Sequence, residues 1–143
     1  MNRVHYGAVV VSGIVVWLLQ ACWYTILSQQ YVAAIGMTPE QVAAAKANVS
    51  WVPYVTALLG NIVMAYVLSV VLVRTGPVTV QRGLLTGFVL WMGLVATVLA
   101  TNYSFEQRPF SLFVINGGCT LVGMLLTGLI VGAWRAKAPV VAN

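Results

Sequence analysis

Polar residues fall in three short intervals along this chain, and four apolar stretches run between and beyond them. The stretches cover residues 6–27, 54–73, 83–101 and 111–134, and none contains Asp, Glu, Lys or Arg. Each is about 19–24 residues long, enough to cross a hydrocarbon layer of about 30 Å at about 1.5 Å of rise per residue. Backbone groups held away from water must be satisfied within their own segment, so each stretch is predicted to be a helix. The interval 28–53 is the longest. Within it Thr38-Pro39-Glu40-Gln41 reads as a helix start, with Thr38 as cap, Pro39 in the first turn and Gln41 at the capping-box position. The Ala-rich run to Asn48 then predicts a short amphipathic helix, with Val42 and Ala45 resting on the membrane surface. The second interval, 74–82, is tight and broken by Gly76-Pro77, which makes the second and third spans antiparallel neighbours. The expected fold is all-α: one four-transmembrane-helix bundle domain over 1–143, without an internal repeat.

The third polar interval organises the rest. Asn102-Tyr-Ser-Phe-Glu-Gln-Arg-Pro-Phe110 holds Glu106 two positions from Arg108, then enters an apolar helix carrying Asn116, Gly117 and Gly118.

Composition settles the solvent. The chain is 61% hydrophobic and 6% charged, against roughly a quarter charged in soluble domains, and its mean hydropathy is +0.95. The net charge of +5 does not point to nucleic acid, because the basic residues flank the apolar runs. They orient the helices instead. With the N-terminus inside, Arg3, Arg74, Arg82, Arg135 and Lys137 are cytoplasmic, while Lys46, Arg108 and both acids, Glu40 and Glu106, are external. The positive-inside rule therefore predicts both termini in the cytoplasm. Trp51, Tyr54, Tyr31 and Tyr103 form the expected external aromatic belt. Arg3, an apolar run and Leu19-Gln-Ala-Cys22 also match a lipoprotein leader. Gln20 fits that pattern poorly and the apolar run continues to Leu27, so a retained helix is expected.

Small residues mark faces for close packing. Ala57, Asn61, Ala65 and Ser69 recur every four residues; Gly83 and Gly87 form one GxxxG pair, and Gly128 and Gly132 another. Cys119, Gly123 and Thr127 share a further stripe. Such faces let backbones approach in lipid. Two uses stand open: packing inside the bundle, or an oligomer face centred on Gly128 and Gly132. Depth gives a second pattern. Gln20, Asn61, Thr97 and Asn116, one from each span, all lie about 6–10 Å below the external boundary. Tyr24 sits one turn above Gln20, and Thr120 one turn below Asn116. This polar layer is either interhelical glue or a neutral pocket opening outward, with Glu106 and Arg108 at its mouth. Amides supply donors and acceptors, so a pocket would suit an uncharged polar group or a lipid headgroup. Proton coupling would need a titrating group inside the membrane.

Catalytic chemistry is not visible. His5 is alone at the edge of the first span, and Cys22 and Cys119 lie on different helices and read as buried free thiols. No metal site, cofactor site, paired carboxylate or nucleophile set emerges.

Trp23-Tyr24, the segment Gly36-Met-Thr-Pro-Glu-Gln41, the run Arg108-Pro-Phe-Ser-Leu-Phe-Val-Ile-Asn-Gly-Gly118 and a closing Gly132-Ala-Trp-Arg135 resemble the domain of unknown function 1761 family of small bacterial membrane proteins. The resemblance covers nearly the whole chain and implies a four-span protein of the bacterial inner membrane, without naming an activity. Members tend to carry Phe-Gly-Lys after the Trp-Tyr pair, where this chain has Leu27-Ser28-Gln29. A role depending on that lysine does not transfer. The expected function is a non-catalytic assembly or accessory module, packing with itself or a partner membrane protein. The alternative is a small-molecule or lipid binder, or transporter component, using the polar layer. A four-span glutathione-utilising transferase ranks last, because its anionic thiol substrate would need basic residues that the spans lack.

Overall fold

A computed structural model describes residues 3–134. Arg135 and Lys137, on which part of the expected orientation and family motif rests, lie outside them. All regular structure among the described residues is helical: α1 (Tyr6–Ile26), α2 (Ser28–Ile35), α3 (Pro39–Ala47), α4 (Val52–Thr75), α5 (Val80–Leu90), a π-helical segment (Trp91–Ala96), α6 (Thr97–Phe105) and α7 (Phe110–Ala133). α5, the π segment and α6 run on as one helix. Four helices, Tyr6–Ile26, Val52–Thr75, Val80–Phe105 and Phe110–Ala133, are long and apolar enough to cross a membrane. They fit a small four-span membrane protein.

Each helix starts and stops for local reasons. α3 opens on a capping box: the Gln41 N–H donates to Thr38 Oγ1 at 3.3 Å, and the Thr38 N–H to Gln41 Oε1 at 2.9 Å. α5 opens on Thr79, whose hydroxyl accepts from the Arg82 N–H. α2 ends at Gly36, in the left-handed region at φ 73°, where a residue without Cβ carries no penalty. The Arg82 side chain folds back onto the Thr75 carbonyl and closes the α4–α5 turn.

α7 is the hub. It packs antiparallel on α5 and on α1, and also touches α4, while α1 and α4 form the second antiparallel pair. The α5–α7 contact is a glycine-to-backbone crossing. A Cβ at Gly83 would strike the Gly128 carbonyl, and one at Gly128 would strike that of Gly83. Gly87 lies against the Met124 backbone, Gly132 against Thr79 and Val80, and Gly123 against the Val16 side chain. Ala65 is fully buried and Ala57 half-buried. Of the two uses left open for Gly128 and Gly132, the first is seen: both lie against α5 or its start within the chain. The bundle needs that approach itself, because no hydrophobic effect draws apolar helices together in lipid.

Two further expectations are corrected. The loop helix α3 forms, but its apolar and polar residues are spread evenly round its axis and none is buried. It has no apolar face to lay on a membrane. The interval before it also holds a helix that the sequence reading treated as loop. α2 lies across the end of α7, with Ala34, Tyr31 and Ile35 packed on Leu112 and Ile115.

Gly128→Ala is expected to force α5 and α7 apart and cost about 1–3 kcal/mol of stability, the usual penalty for overpacking. Thermal unfolding in detergent measures it. A wild-type midpoint would refute this crossing, and loss of an oligomer without loss of stability would restore the face to intermolecular use.

Candidate functional site

The polar layer forms at the end of the bundle that carries α2, and it has two parts. On one side, Gln20 of α1 and Asn61 of α4 face each other as a reciprocal amide pair: Asn61 Nδ2 donates to Gln20 Oε1 at 2.8 Å, and Gln20 Nε2 to Asn61 Oδ1 at 3.4 Å. Asn61 is buried and Gln20 half-buried. On the other side, the Tyr24 hydroxyl donates to Asn116 Oδ1 at 2.8 Å, and Asn116 Nδ2 donates to the Tyr103 hydroxyl at 2.7 Å. That chain joins α1, α7 and α6.

Below it, two indoles clasp α7. Trp91 Nε1 donates to the Gly117 carbonyl at 3.0 Å and to Thr120 Oγ1 at 3.1 Å. Trp23 Nε1 donates to the Ile115 carbonyl at 3.1 Å. The absence of side chains at 117 and 118 admits both rings: a Cβ at Gly118 would lie 3.3 Å from Trp23, and one at Gly117 3.7 Å from Trp91.

Of the residues expected in the layer, Gln20 with Asn61 and Tyr24 with Asn116 therefore come together, as two hydrogen-bonded groups, while Thr120 lies a turn below and accepts from Trp91. Thr97 joins neither group. It is exposed, and its hydroxyl donates back to the Gly93 carbonyl at 2.8 Å. The cause is the π-helical segment, whose wider turn rotates everything after it relative to a regular helix. The rotation that carries Thr97 outward is part of the geometry that leaves Trp91 buried. Tyr103, expected as an interfacial residue, takes the place in the layer that Thr97 was assigned. Trp91 had no sequence signal beyond being aromatic, and Trp23 was marked only by the Trp23-Tyr24 pair of the family resemblance.

The layer does not open outward. α2 roofs it, and Tyr31 meets the Tyr24 ring edge-on at a centroid distance of 5.2 Å. Access is sideways, through two clefts on different flanks. Between α1 and α4 lies a cleft of about 560 Å³, lined by Trp17, Gln20, Tyr24, Thr25, Tyr54 and Ala57 among others. Trp17 Nε1 bridges its walls by donating to the Tyr54 carbonyl at 3.0 Å. Between α6 and α7 lies a second, of about 400 Å³, lined by Ala100, Tyr103, Ser104, Arg108, Pro109, Phe110 and Phe113. Arg108 lines that second cleft rather than standing at the mouth of a central pocket, and it pairs with the exposed Glu106 at 3.1 Å.

Nearer the other end, Ser12, Ser69 and Thr127 are buried. Ser69 and Thr127 donate to carbonyls four residues back, and the Ser12 hydroxyl has no partner among the described residues. Cys119 is buried, whereas Cys22 is exposed, contrary to the expectation of two buried thiols; both are free. No group of three or more His, Cys, Asp or Glu among the described residues is placed to hold a metal ion.

The amide pair gives a direct test of glue. Asn61→Leu and Gln20→Leu each strand one buried amide and should each cost about 1–3 kcal/mol. The double variant, with neither amide left, should cost less than their sum. Additive losses in thermal unfolding would mean that the pair contributes nothing as a pair.

Neither a search of curated proteins nor one of solved structures returned a match. A family model described as protein of unknown function (DUF1761) matches residues 7–132, a range that covers the four spanning helices but for Tyr6 and Ala133 and includes both clefts and the Asn116-Gly117-Gly118 segment. The chain belongs to the DUF1761 family.

Proposed function

We propose that this is a non-catalytic protein of the bacterial inner membrane that binds a small amphiphile with an uncharged polar head in the α1–α4 cleft. The observation that carries the reading is the composition of that cleft. Its lining joins apolar and aromatic walls to Gln20 and Tyr24, the two members that α1 gives to the hydrogen-bonded layer. A concave, mainly apolar site with a few convergent polar groups is the usual form of a small-molecule site. The amide pair uses one N–H of each partner, so each amide keeps a second donor. Thr25 and Ser28 add hydroxyls at the rim. The lining holds no carboxylate, imidazole, thiol or basic group, which favours binding over catalysis and a neutral head over a charged one.

The orientation that fits this reading places both termini in the cytoplasm. Arg3, Arg74 and Arg82 flank one end of the bundle and Lys46 and Arg108 the other, and Arg135 and Lys137 add to the first group in sequence. The cleft then faces the outer leaflet. A second reading, an accessory module that assembles with itself or another membrane protein, draws support from α3. That helix is fully capped yet buries no residue, and so offers its surface to a partner.

Monoolein serves as a probe amphiphile with a neutral head. It is expected to raise the thermal midpoint of the wild-type protein and to lose that effect in Ala57→Trp, which fills the cleft. Equal shifts in both proteins, or none in either, would overturn the binding reading. A heterocomplex of fixed stoichiometry, seen by native mass spectrometry of gently extracted protein, would replace it with the second.

A further inference from the structure

The α6–α7 turn carries a feature that neutral amphiphile binding does not use. The chain leaves α6 at Phe105 and enters α7 at Phe110. The Arg108 N–H returns to the Tyr103 carbonyl at 2.9 Å, and the Gln107 N–H to that of Ser104 at 3.3 Å. This is the hydrogen-bond pattern of a helix end that commonly places glycine in the left-handed position. Here Gln107 occupies it, at φ 54°. The reversal sets the side chains on either side of Gln107 against each other, and Arg108 Nε donates to Glu106 Oε2 at 3.1 Å. Both side chains are about half exposed, at 42% and 53%. The two terminal guanidinium nitrogens have no hydrogen-bond partner among the described residues.

Directly below the pair lies the second cleft. Arg108 is its only charged lining residue, and the walls run down α6 to Ala100, about 7–8 Å along the helix from Phe105. Phe110 and Phe113 stack at 5.7 Å along the α7 side. Phe105 and Phe110 are among the most exposed large apolar residues of the chain, at 86% and 76%. Aromatic rings at the end of a spanning helix belong at headgroup level. The site thus presents a cation with free donors, an anion beside it, and an apolar trench leading into the hydrocarbon.

We propose that Glu106 and Arg108 together clamp the headgroup of a zwitterionic phospholipid whose acyl chain descends the α6–α7 cleft. The free guanidinium nitrogens take the phosphate, and Glu106 takes the ammonium. Charge complementarity argues for this occupant over an anionic lipid. A lone arginine at a membrane surface attracts anionic headgroups. The carboxylate 3.1 Å away cancels that attraction and repels a second negative group, so the pair selects by repulsion as well as attraction. The inference is independent of the α1–α4 cleft: it uses other helices and a charged head.

Native mass spectrometry of the whole protein tests it, in detergent loaded equally with phosphatidylethanolamine and phosphatidylglycerol. The wild-type protein should retain phosphatidylethanolamine by about fivefold over phosphatidylglycerol, as befits a clamp built from one exposed pair. Arg108→Gln should lose retention of both lipids. Glu106→Gln should reverse the preference towards phosphatidylglycerol. Ala100→Phe should lose both lipids by filling the trench with the charges intact. Glu106 and Arg108 are exposed, so thermal midpoints near wild type will show that those variants fold. Equal retention of the two lipids by the wild-type protein, or an unchanged ratio in Glu106→Gln, would overturn the proposal and leave only a non-selective lipid annulus.

Discussion

Two adjacent glycines in the middle of an apolar helix are the constraint on which the rest depends. At Gly117 and Gly118 the surface of α7 is bare backbone, and the indoles of Trp91 and Trp23 lie against it from two sides. Their N–H groups reach the carbonyls of Gly117 and Ile115, which already serve the helix's own hydrogen bonds. Inside lipid an indole N–H without a partner is costly. Each ring is therefore fixed in place by its polar atom as much as by its shape, and each fixes a helix: Trp23 holds α1 against α7, and Trp91 holds α5. The glycine crossing at Gly83 and Gly128 sets the same α5–α7 pair at its other end. α7 is thus the surface against which the other spans are registered.

The π-helical segment begins at that contact. Trp91 opens the wide turn that runs to Ala96, and its buried indole donates to Gly117 and Thr120. The same turn exposes Gly93 and Thr97, and the Thr97 hydroxyl then covers the Gly93 carbonyl. Tyr103, two turns further along, swings into the layer and closes the chain from Tyr24 through Asn116. A local irregularity in one helix thereby decides which residues meet at the bundle's end.

The four spans were legible because the signal is length and apolarity alone, and lipid leaves a backbone of that kind one solution. The capping box of α3 was legible because Thr38, Pro39 and Gln41 act on their own neighbours. The small-residue faces at Gly83, Gly87, Gly128 and Gly132 were legible as faces but not as partners, since spacing shows where a backbone is bare and not what lies on it. α2 was hidden: Ser28-Gln-Gln-Tyr-Val-Ala-Ala-Ile35 has a polar start, no side-chain cap at its N-terminus and only eight residues, too few to hold a helix without packing. Its order comes from Tyr31, Ala34 and Ile35 lying on α7. Thr97 was misplaced because depth says how far a residue lies below the boundary and not which way its side chain faces, and because the helix runs on to Phe105, past the counted end. Depth counting worked for Gln20, Asn61 and Asn116.

The amide pair then sets which helix meets which. An apolar helix in lipid gains little by choosing one apolar neighbour over another, so stripes such as Ala8 on Leu72 do not fix the α1–α4 register. Gln20 and Asn61 do. A slip of one turn moves them about 5.4 Å apart and strands two amides at once. The register in turn makes the side cleft. With Gln20 held to Asn61, Trp17 lies one turn earlier on α1, and its long indole reaches back along α4 to the Tyr54 carbonyl. That ring and Pro53, in the first turn of α4, both line the cleft. The polar pair closes the bundle at its own level and leaves it open beside it, so glue and cleft are two results of one contact.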